Sequence, residues 1–257
     1  MGETGAALNA GDCSRAEGSP SPIRTILMLA FWAVALPVAA LIGFPWTYLT
    51  KDISFLYKTC MWGAWTGVRI AGVRVQTLGR EKLDPARTYI FMSNHISNLD
   101  PPITLPLIPT RTSVMVKKEL FKVPILREVM LIGSLVPVDR GNRDAGIAAV
   151  RDSVAAIRGK GLNMTIYVEG KRSFDGRLLP FKKGPFYLAE ECKVAVVPIT
   201  ISGTEDVMPK ARFGIRPGLV TVRFHEPIEP ENFGSREELI VKVRAAINSG
   251  LPVELQE

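Results

Sequence analysis

The stretch MSNHISNLDPP, residues 92–102, places a histidine five positions before an aspartate among small polar residues. Histidine can take up a proton near neutral pH, and an aspartate bonded to its second ring nitrogen fixes the tautomer and stabilises the charged ring. His95 and Asp100 are therefore candidates for a general base and its orienting partner. A second interpretation stays open, in which Asp100 only caps a helix and His95 is a polar loop residue.

Three further polar clusters each follow a short apolar run: Lys117-Lys118, Asp139-Arg140 and Glu169-Gly170-Lys171-Arg172. Between Arg111 and Lys183 there are 15 Lys and Arg residues against 7 Asp and Glu residues, in a chain whose formal net charge is +7. Arginine binds phosphate through paired hydrogen bonds and lysine acts as a point charge, so this region predicts a phosphate-bearing ligand. Taken singly, each cluster is also compatible with a solvated ion pair on the surface.

The apolar runs around these clusters are rich in β-branched residues, which is typical of buried strands. They occupy residues 88–92, 112–116, 134–138, 164–168 and 194–201. Amphipathic helices are predicted at 142–160 and 235–247, the second starting with a capping box of Ser235 and Glu238. In the first helix, Ile147, Val150, Val154 and Ile157 recur at i, i+3, i+7 and i+10, which is the apolar stripe of an amphipathic helix.

Alternating strands and helices predict an α/β fold for residues 73–257, with a mixed, mainly parallel sheet flanked by helices. The Asp-Pro-Pro sequence at 100–102 predicts a helix start with Asp100 as its N-cap. Ligands of such sheets gather at the C-terminal ends of the strands, so the four polar clusters are expected to face one crevice.

The N-terminal part of the chain has a different composition. Residues 1–22 are rich in Gly, Ala and Ser and predict a disordered tail, and residues 23–72 predict membrane-anchoring helices. No charged residue lies between Ile26 and Leu49, a run long enough to cross the hydrocarbon core of a bilayer. Pro37 and Pro45 favour a kink. A spanning helix, a helix embedded in one leaflet and a buried core helix all stay open.

Positive charge is distributed unevenly around this apolar run. Arg15 and Arg24 precede it, and the residues that follow it include Lys51, Lys58, Arg69 and Arg74. The cytoplasmic flanks of membrane segments carry the excess of Lys and Arg, so the α/β domain is expected to face the cytoplasm.

Several other kinds of site find no support. Cys13, Cys60 and Cys192 lie far apart, without the spacing of a disulfide framework or a zinc site, so no metal is expected. The chain has no P-loop, no dinucleotide-binding glycine motif and no nucleophile elbow. The second histidine, His225, is interpreted as structural. The basic residues alternate with predicted buried strands and form no arginine-rich tail, which argues against a nucleic-acid partner.

Four sequence blocks occur in a fixed order after the apolar segment. They are N-H-x4-D with His95 and Asp100, a Gly-to-Arg stretch from Gly133 to Arg140, E-G-x-R with Glu169, Gly170 and Arg172, and V-V-P-I from Val196 to Ile199. Together they resemble the glycerolipid acyltransferases over roughly residues 72–227, and most of all the bacterial members that act on 1-acylglycerol-3-phosphate (lysophosphatidic acid).

The resemblance implies transfer of a fatty acyl group from acyl-CoA or acyl carrier protein to the free sn-2 hydroxyl of 1-acylglycerol-3-phosphate, which gives phosphatidic acid. His95 would be the general base and Asp100 its partner, and the residues that would bind the substrate are Lys117, Arg140, Glu169, Gly170 and Arg172. Backbone N–H groups of residues 94–98 are expected to stabilise the oxyanion. No cofactor is implied, because the thioester is already activated. The implied partners are the acceptor, the donor and the lipid bilayer of the inner (cytoplasmic) membrane.

Two positions depart from the usual family pattern. Tyr167-Val168 stands where Phe-Pro often precedes the glutamate, and Lys171 stands where Thr usually separates glycine from arginine. The extra cation leaves another lysophospholipid or an amino-lipid open as the acceptor. A non-catalytic, membrane-anchored protein that binds anionic lipid is the remaining alternative, and it would not require His95.

Overall fold

A computed structural model describes residues 19–139, 141–208 and 214–257 of the chain. Most of the predicted tail lies outside these ranges, so its disorder stays a prediction. Two helices come first, α1 (Pro22–Thr50) and α2 (Ser54–Ile70), and they pack against each other. The Trp32 indole N–H donates a hydrogen bond to the Gly63 carbonyl at 3.0 Å. A Cβ on Gly67 would lie 2.1 Å from Trp32 Nε1, so only glycine allows this close packing.

Helix α1 is the one helix in the described part of the chain that is long and apolar enough to cross a membrane. It continues as a single helix through Pro37 and Pro45. Only 22% of its apolar window is buried, and Leu41 and Leu49 are 77% and 84% exposed. The alternative of a buried core helix is therefore wrong. An apolar surface of this size on one helix indicates contact with something other than the protein's own core.

Seven strands form one sheet in the order β1-β7-β6-β2-β5-β3-β4. Their bounds are β1 Val73–Leu78, β2 Ile90–Ser93, β3 Thr112–Lys117, β4 Val136–Val138, β5 Asn163–Tyr167, β6 Val196–Ser202 and β7 Gly218–Phe224. Neighbouring strands are parallel except for the antiparallel pair β6 and β7. The predicted mixed, mainly parallel sheet is confirmed. Strands β1 and β7 were not predicted.

The remaining helices connect the strands and cover the sheet: α3 Asp100–Thr104, α4 Pro124–Ile132, α5 Arg143–Lys160, α6 Gly184–Cys192, α7 Thr204–Val207 and α8 Arg236–Ser249. Both long predicted helices are present as α5 and α8. The capping box of α8 forms only in part: the Ser235 hydroxyl accepts from the Glu238 N–H, but the Glu238 carboxylate accepts from Gly234 and not from Ser235.

The hydrophobic core lies in two layers, one on each face of the sheet. Along β2, Phe91 packs into the layer under α1 and α2, whereas Ile90 and Met92 pack into the layer under α5, α6 and α8. This alternation follows from the two-residue period of a strand. Because both faces are covered, the central strands are buried along their whole length, and only their ends remain for ligands.

Three of the four positions of the apolar stripe predicted for α5 contact the core, because Val150 and Val154 pack against the buried cluster that contains Ile157, and Ile147 is the exception. Ile157 is buried, but Ile147 is 61% exposed, and Val150 and Val154 are only partly buried. Besides Ile157, the most deeply buried residues of α5 are small ones, namely Ala149, Ser153 and Ala156. Small side chains bring the helix close to the sheet, and the larger apolar residues are left to line its flank.

Candidate active site

His95 and Asp100 meet at the C-terminal end of β2. His95 Nδ1 lies 2.7 Å from Asp100 Oδ2, and both side chains are buried. The same carboxylate oxygen accepts the backbone N–H groups of Ile96 at 2.7 Å and Ser97 at 2.8 Å. Because Oδ2 faces Nδ1 as an acceptor, the imidazole hydrogen belongs on Nδ1 and the lone pair on Nε2. The ring is therefore held in the tautomer that a general base requires.

The prediction that Asp100 caps helix α3 is wrong. Leu99 occupies the N-cap position and makes no side-chain capping bond, and Asp100 is the first residue inside the helix. The loop before the helix folds back, so the carboxylate accepts N–H groups that precede it rather than those of the first helical turn. Asp100 therefore fixes the loop that carries His95 as well as the histidine ring.

Tyr167, the last residue of β5, stacks on the His95 ring with the ring centroids 4.2 Å apart and the planes 26° from parallel. Its hydroxyl is fully enclosed, and burial raises the pKa of Tyr167 well above its usual value. The negative charge of Asp100 raises this pKa further, whereas the nearby Thr104 hydroxyl lowers it. Strand β5 thus supplies one wall of the site, and the tyrosine hydroxyl lies within the field of the Asp100 carboxylate.

Glu169 follows on β5 and is 1% exposed. Its two carboxylate oxygens accept the backbone N–H groups of His95 at 3.1 Å and Leu179 at 3.2 Å. Burial raises the pKa of Glu169 to about 7, and the two N–H groups limit that rise because they stabilise the ionised form. The carboxylate therefore joins the His95 loop to the segment after β5. Its predicted contact with substrate stays a prediction.

Asn94 ties the end of β2 to β6. Its side-chain amide donates to the Ile201 carbonyl and accepts the Ile201 N–H, both at 2.8 Å. This pair of hydrogen bonds resembles the one that a backbone residue of a neighbouring strand would make. The N–H groups of His95, Ile96 and Ser97 are already bonded to the two buried carboxylates. The expectation that the loop 94–98 supplies the oxyanion donors is therefore wrong for these three groups.

The four polar clusters do lie at the C-terminal ends of adjacent parallel strands, and the structure brings them together in two pairs. His95 meets Glu169, and Lys118 forms an ion pair with Asp139. Lys117 is exposed, with its Nζ 3.6 Å from a carboxylate oxygen of Glu119. Gly170 turns the chain after β5 with a positive φ of 69°, a conformation that favours glycine.

The positively charged residues after β4 and β5 are the remaining part of the predicted substrate site. Arg172 is partly buried two residues after Gly170, and Lys171 is exposed beside it. Arg140 lies outside the described residues. Acceptor binding by Lys117, Arg140, Gly170 and Arg172 stays a prediction. No group of three or more His, Cys, Asp or Glu side chains suited to a metal ion occurs within the described ranges.

A groove of about 1210 Å³ runs from this site between α5 and α6. Its lining includes Tyr167 and Glu169, which contact the His95 ring and backbone, and the apolar α5 residues Ile147, Val150 and Val154. Val150 and Val154 therefore contact both the core and the groove, whereas Ile147 belongs to the groove and the surface. A signal in the sequence was available, because Ala149, Ser153 and Ala156 form a second stripe of small residues at helical spacing.

His225 is held by a different set of contacts. Its Nε2 lies 2.8 Å from the Thr200 hydroxyl, which donates to the Ile247 carbonyl of α8 at 2.7 Å. Burial first, and then the charges of Arg223 and Lys82, lower the pKa of His225 to about 4. A neutral histidine that links β6 to α8 agrees with the structural interpretation.

Comparison with known proteins gives one family. Residues 74–202 match a family model described as Acyltransferase. The chain is 32% identical over 201 residues to a 1-acyl-sn-glycerol-3-phosphate acyltransferase of Limnanthes douglasii, a match that covers 78% of this chain and 70% of that protein. A protein of the same name from Saccharomyces cerevisiae is 32% identical over 164 residues, covering 63% and 54%.

A solved structure has the same architecture. The crystal structure of the 1-acyl-sn-glycerophosphate (LPA) acyltransferase PlsC from Thermotoga maritima superposes with a TM-score of 0.76 and 26% sequence identity. The superposition covers 89% of this chain and 95% of that one. The likeness thus includes the N-terminal helices as well as the sheet.

Proposed function

The chain belongs to the acyltransferase family, and from that premise we propose that it acylates the sn-2 hydroxyl of 1-acylglycerol-3-phosphate to give phosphatidic acid. The acyl donor in this proposal is a thioester, either acyl-CoA or acyl carrier protein. The observation that carries the proposal is the buried His95–Asp100 pair, whose geometry leaves His95 Nε2 as a base next to Tyr167 and Glu169, two residues that line an apolar groove.

The reaction needs one proton transfer and one acyl transfer. His95 Nε2 takes the proton of the acceptor hydroxyl as that oxygen attacks the thioester carbonyl, and Asp100 stabilises the imidazolium through Nδ1–H. The tetrahedral intermediate collapses, the carbon–sulfur bond breaks, and the thiolate leaves and takes up the proton. The ester product and free thiol balance the reaction without a metal or cofactor, because the thioester is already activated.

The groove between α5 and α6 suits the fatty acyl chain. Its α5 side presents Ile147, Val150 and Val154, and its floor includes Met115 and Ile166 from β3 and β5. In this proposal the carbonyl end of the acyl chain lies beside Tyr167 and Glu169, the lining residues that contact His95. Ligand sites of this kind combine an apolar body with a few polar groups at one end.

The acceptor carries a phosphate, and the positive residues after β3, β4 and β5 provide the complementary charge. Arg172 and Lys171 follow the turn at Gly170, and Lys117 ends β3. In this proposal Arg172 and Arg140 bind the phosphate and Lys171 adds a further cation. That extra cation also fits an acceptor with a second anionic group, so other lysophospholipids belong in any assay.

Helix α1 fits a role in holding the enzyme at the bilayer where its lipid substrate resides. It is mostly exposed within the structure and has a mean hydropathy of 2.4 over its apolar window. We place it in the inner (cytoplasmic) membrane with the α/β domain on the cytoplasmic side, supported by the Lys and Arg residues that follow it.

The proposal is tested with purified protein in detergent, acyl-CoA or acyl carrier protein, and a panel of lysolipids. Product mass and free thiol release are followed together. His95→Ala is expected to lower turnover by about 10²–10⁴-fold, the usual contribution of a general base. His225→Gln is the matched control, because it removes the other histidine of the chain.

Three outcomes would contradict the assignment. Near-native transfer by folded His95→Ala protein would exclude His95 as the base. Acyl transfer to another lysolipid of the panel but not to 1-acylglycerol-3-phosphate would show that the acceptor is a different lysolipid. Lipid binding without thiol release would favour the non-catalytic alternative.

A further inference from the structure

The second oxygen of the Asp100 carboxylate has surroundings unlike those of the first. Oδ2 accepts three hydrogen bonds, from His95, Ile96 and Ser97. Oδ1 is equally buried, yet within the described ranges it has no hydrogen-bond partner. A buried carboxylate oxygen without a donor is costly, so a donor belongs beside it.

Two buried hydroxyl groups with the same deficit lie close by. Tyr167 Oη and Thr104 Oγ1 are both enclosed and also have no hydrogen-bond partner among the described residues. Thr104 lies four residues after Asp100 in α3, which puts the two side chains on the same helical face. The charge of Asp100 raises the pKa of the Tyr167 hydroxyl, and the nearby Thr104 side chain lowers it. The Tyr167 and Thr104 hydroxyl groups nevertheless do not meet the geometry of a hydrogen bond among the described residues.

The tyrosine itself is one of the two departures from the family pattern. A phenylalanine at position 167 would stack on His95 in the same way, since the ring contact needs no hydroxyl. The hydroxyl oxygen is the single heavy atom that tyrosine adds here, and it lies within the field of the Asp100 carboxylate, whose Oδ1 needs a donor. A polar atom in this enclosed position therefore requires an explanation that ring stacking does not supply.

We infer that Tyr167 is a positioning residue for the catalytic pair, which donates a hydrogen bond from its hydroxyl to Asp100 Oδ1, either directly or through one water shared with Thr104. This rests on the proposed function, because it assumes that His95 and Asp100 act as base and partner. With both carboxylate oxygens bonded, Asp100 cannot rotate, and the His95 ring is held between Asp100 Oδ2 and the tyrosine face.

The consequence is a defined change when only the hydroxyl is removed. In Tyr167→Phe the ring stack and the groove wall remain, so the KM values for donor and acceptor should change by less than about twofold. The turnover number should fall about tenfold, as expected for loss of one hydrogen bond to a charged group.

The pH profile supplies a second measure. Without the hydroxyl, the Asp100 charge acts more strongly on the imidazolium, so the acidic limb of kcat should move to higher pH by about one unit. The other titratable groups that face the pair, Glu169 and Glu205, are unchanged in this variant.

The experiment compares Tyr167→Phe with Tyr89→Phe in the full-length protein. Tyr89 is also buried, and its hydroxyl accepts the Asp84 N–H, away from the catalytic pair. Steady-state kinetics across pH and thermal unfolding are measured for both variants. Tyr89→Phe should keep the native pH profile whatever it does to stability. Thr104→Val provides a second route to the same hydroxyl network if Tyr167→Phe fails to fold.

Native turnover and a native acidic limb in folded Tyr167→Phe would overturn the inference. So would a loss carried by KM alone, which would make the tyrosine a groove residue, or an equal limb shift in Tyr89→Phe. If His95→Ala is inactive while Tyr167→Phe behaves as native protein, this inference fails and the proposed function stands. If His95→Ala retains full activity, the proposed function itself fails.

Discussion

The buried carboxyl of Glu169 makes a quantitative prediction about stability and pH. In the folded protein its pKa is about 7, whereas the ordinary value is 4.5, and burial is the main cause. Between those two pH values the folded protein keeps a proton that the unfolded chain releases. The free energy of unfolding contributed by Glu169 is therefore fully present below about pH 4.5 and is lost as the pH rises through about 7.

The magnitude follows from the two pKa values. A separation from 4.5 to about 7 corresponds to about 3 kcal/mol at roughly 1.4 kcal/mol per pH unit. Replacing Glu169 with Gln removes the titration. It also leaves an amide NH2 facing one of two backbone N–H groups, those of His95 and Leu179, which lowers stability by an amount that does not depend on pH.

The difference in unfolding temperature between the native protein and Glu169→Gln should therefore change with pH, whereas a pH-independent loss of stability would give a constant difference. Unfolding temperature in detergent is measured from pH 4.5 to 7.5 at constant ionic strength. A change of 1 kcal/mol shifts the unfolding temperature of a protein of this size by about 2–4 °C, so the change of about 3 kcal/mol should raise the unfolding temperature of the variant relative to the native protein by about 6–12 °C as the pH rises.

Using a difference is necessary because His225 acts in the opposite direction. Its pKa is lowered from 6.5 to about 4, so its contribution to stability rises with pH over that range and hides the effect of Glu169 in the native curve. Glu254→Gln, a change to an exposed carboxylate, is the control and should follow the native curve. Parallel curves for native protein and Glu169→Gln across the whole window would refute the reasoning.

Two further predictions concern the substrate and the bilayer. Arg172→Ala and Arg140→Ala should each raise the KM for a phosphate-bearing acceptor and leave that for the donor unchanged, and unchanged acceptor KM values in both variants would make these arginines structural. Leu41→Arg, in the exposed part of α1, should reduce flotation with phospholipid vesicles by about 100-fold, because a central charge opposes insertion by about 3 kcal/mol. The equally exposed Val253, outside α1, provides the control Val253→Arg, and equal flotation of the two arginine variants would contradict an anchoring role for α1.

How much of the fold could be predicted depended on how each strand is buried. Of the five predicted strands, β2, β5 and β6 are buried along their whole length, because central strands of a parallel sheet are covered on both faces and form unbroken apolar runs. Strand β3 and the edge strand β4 are only partly buried. Strands β1 and β7 alternate in burial and pair with each other across about 140 residues of sequence. Such half-buried strands carry a weaker local signal, and the partner that stabilises each one is remote in the chain.

The α5 stripe shows a different limit. Ile147, Val150 and Val154 have the spacing of a core face, and spacing alone does not distinguish a core from the wall of a groove. What separates the two is the depth to which the helix packs on the sheet, and that depth is set by Ala149, Ser153 and Ala156 on the adjacent face. A row of large apolar residues beside a row of small ones is thus a pattern to test for ligand grooves in other α/β domains.

The contact between His95 and Asp100 was predicted from local sequence, but the way Asp100 is held was not. Asp-Pro-Pro has the pattern of an N-cap, and that interpretation assumes the nearest unpaired N–H groups lie ahead in the helix. Here the loop folds back onto Asp100, so the N–H groups that the carboxylate accepts are those of Ile96 and Ser97, which precede it in the chain. The same fold brings Glu169 to the N–H of His95. Two buried carboxylates from different strand ends therefore fix one short loop, which explains why the blocks with His95 and Glu169 occur together although 74 residues separate them.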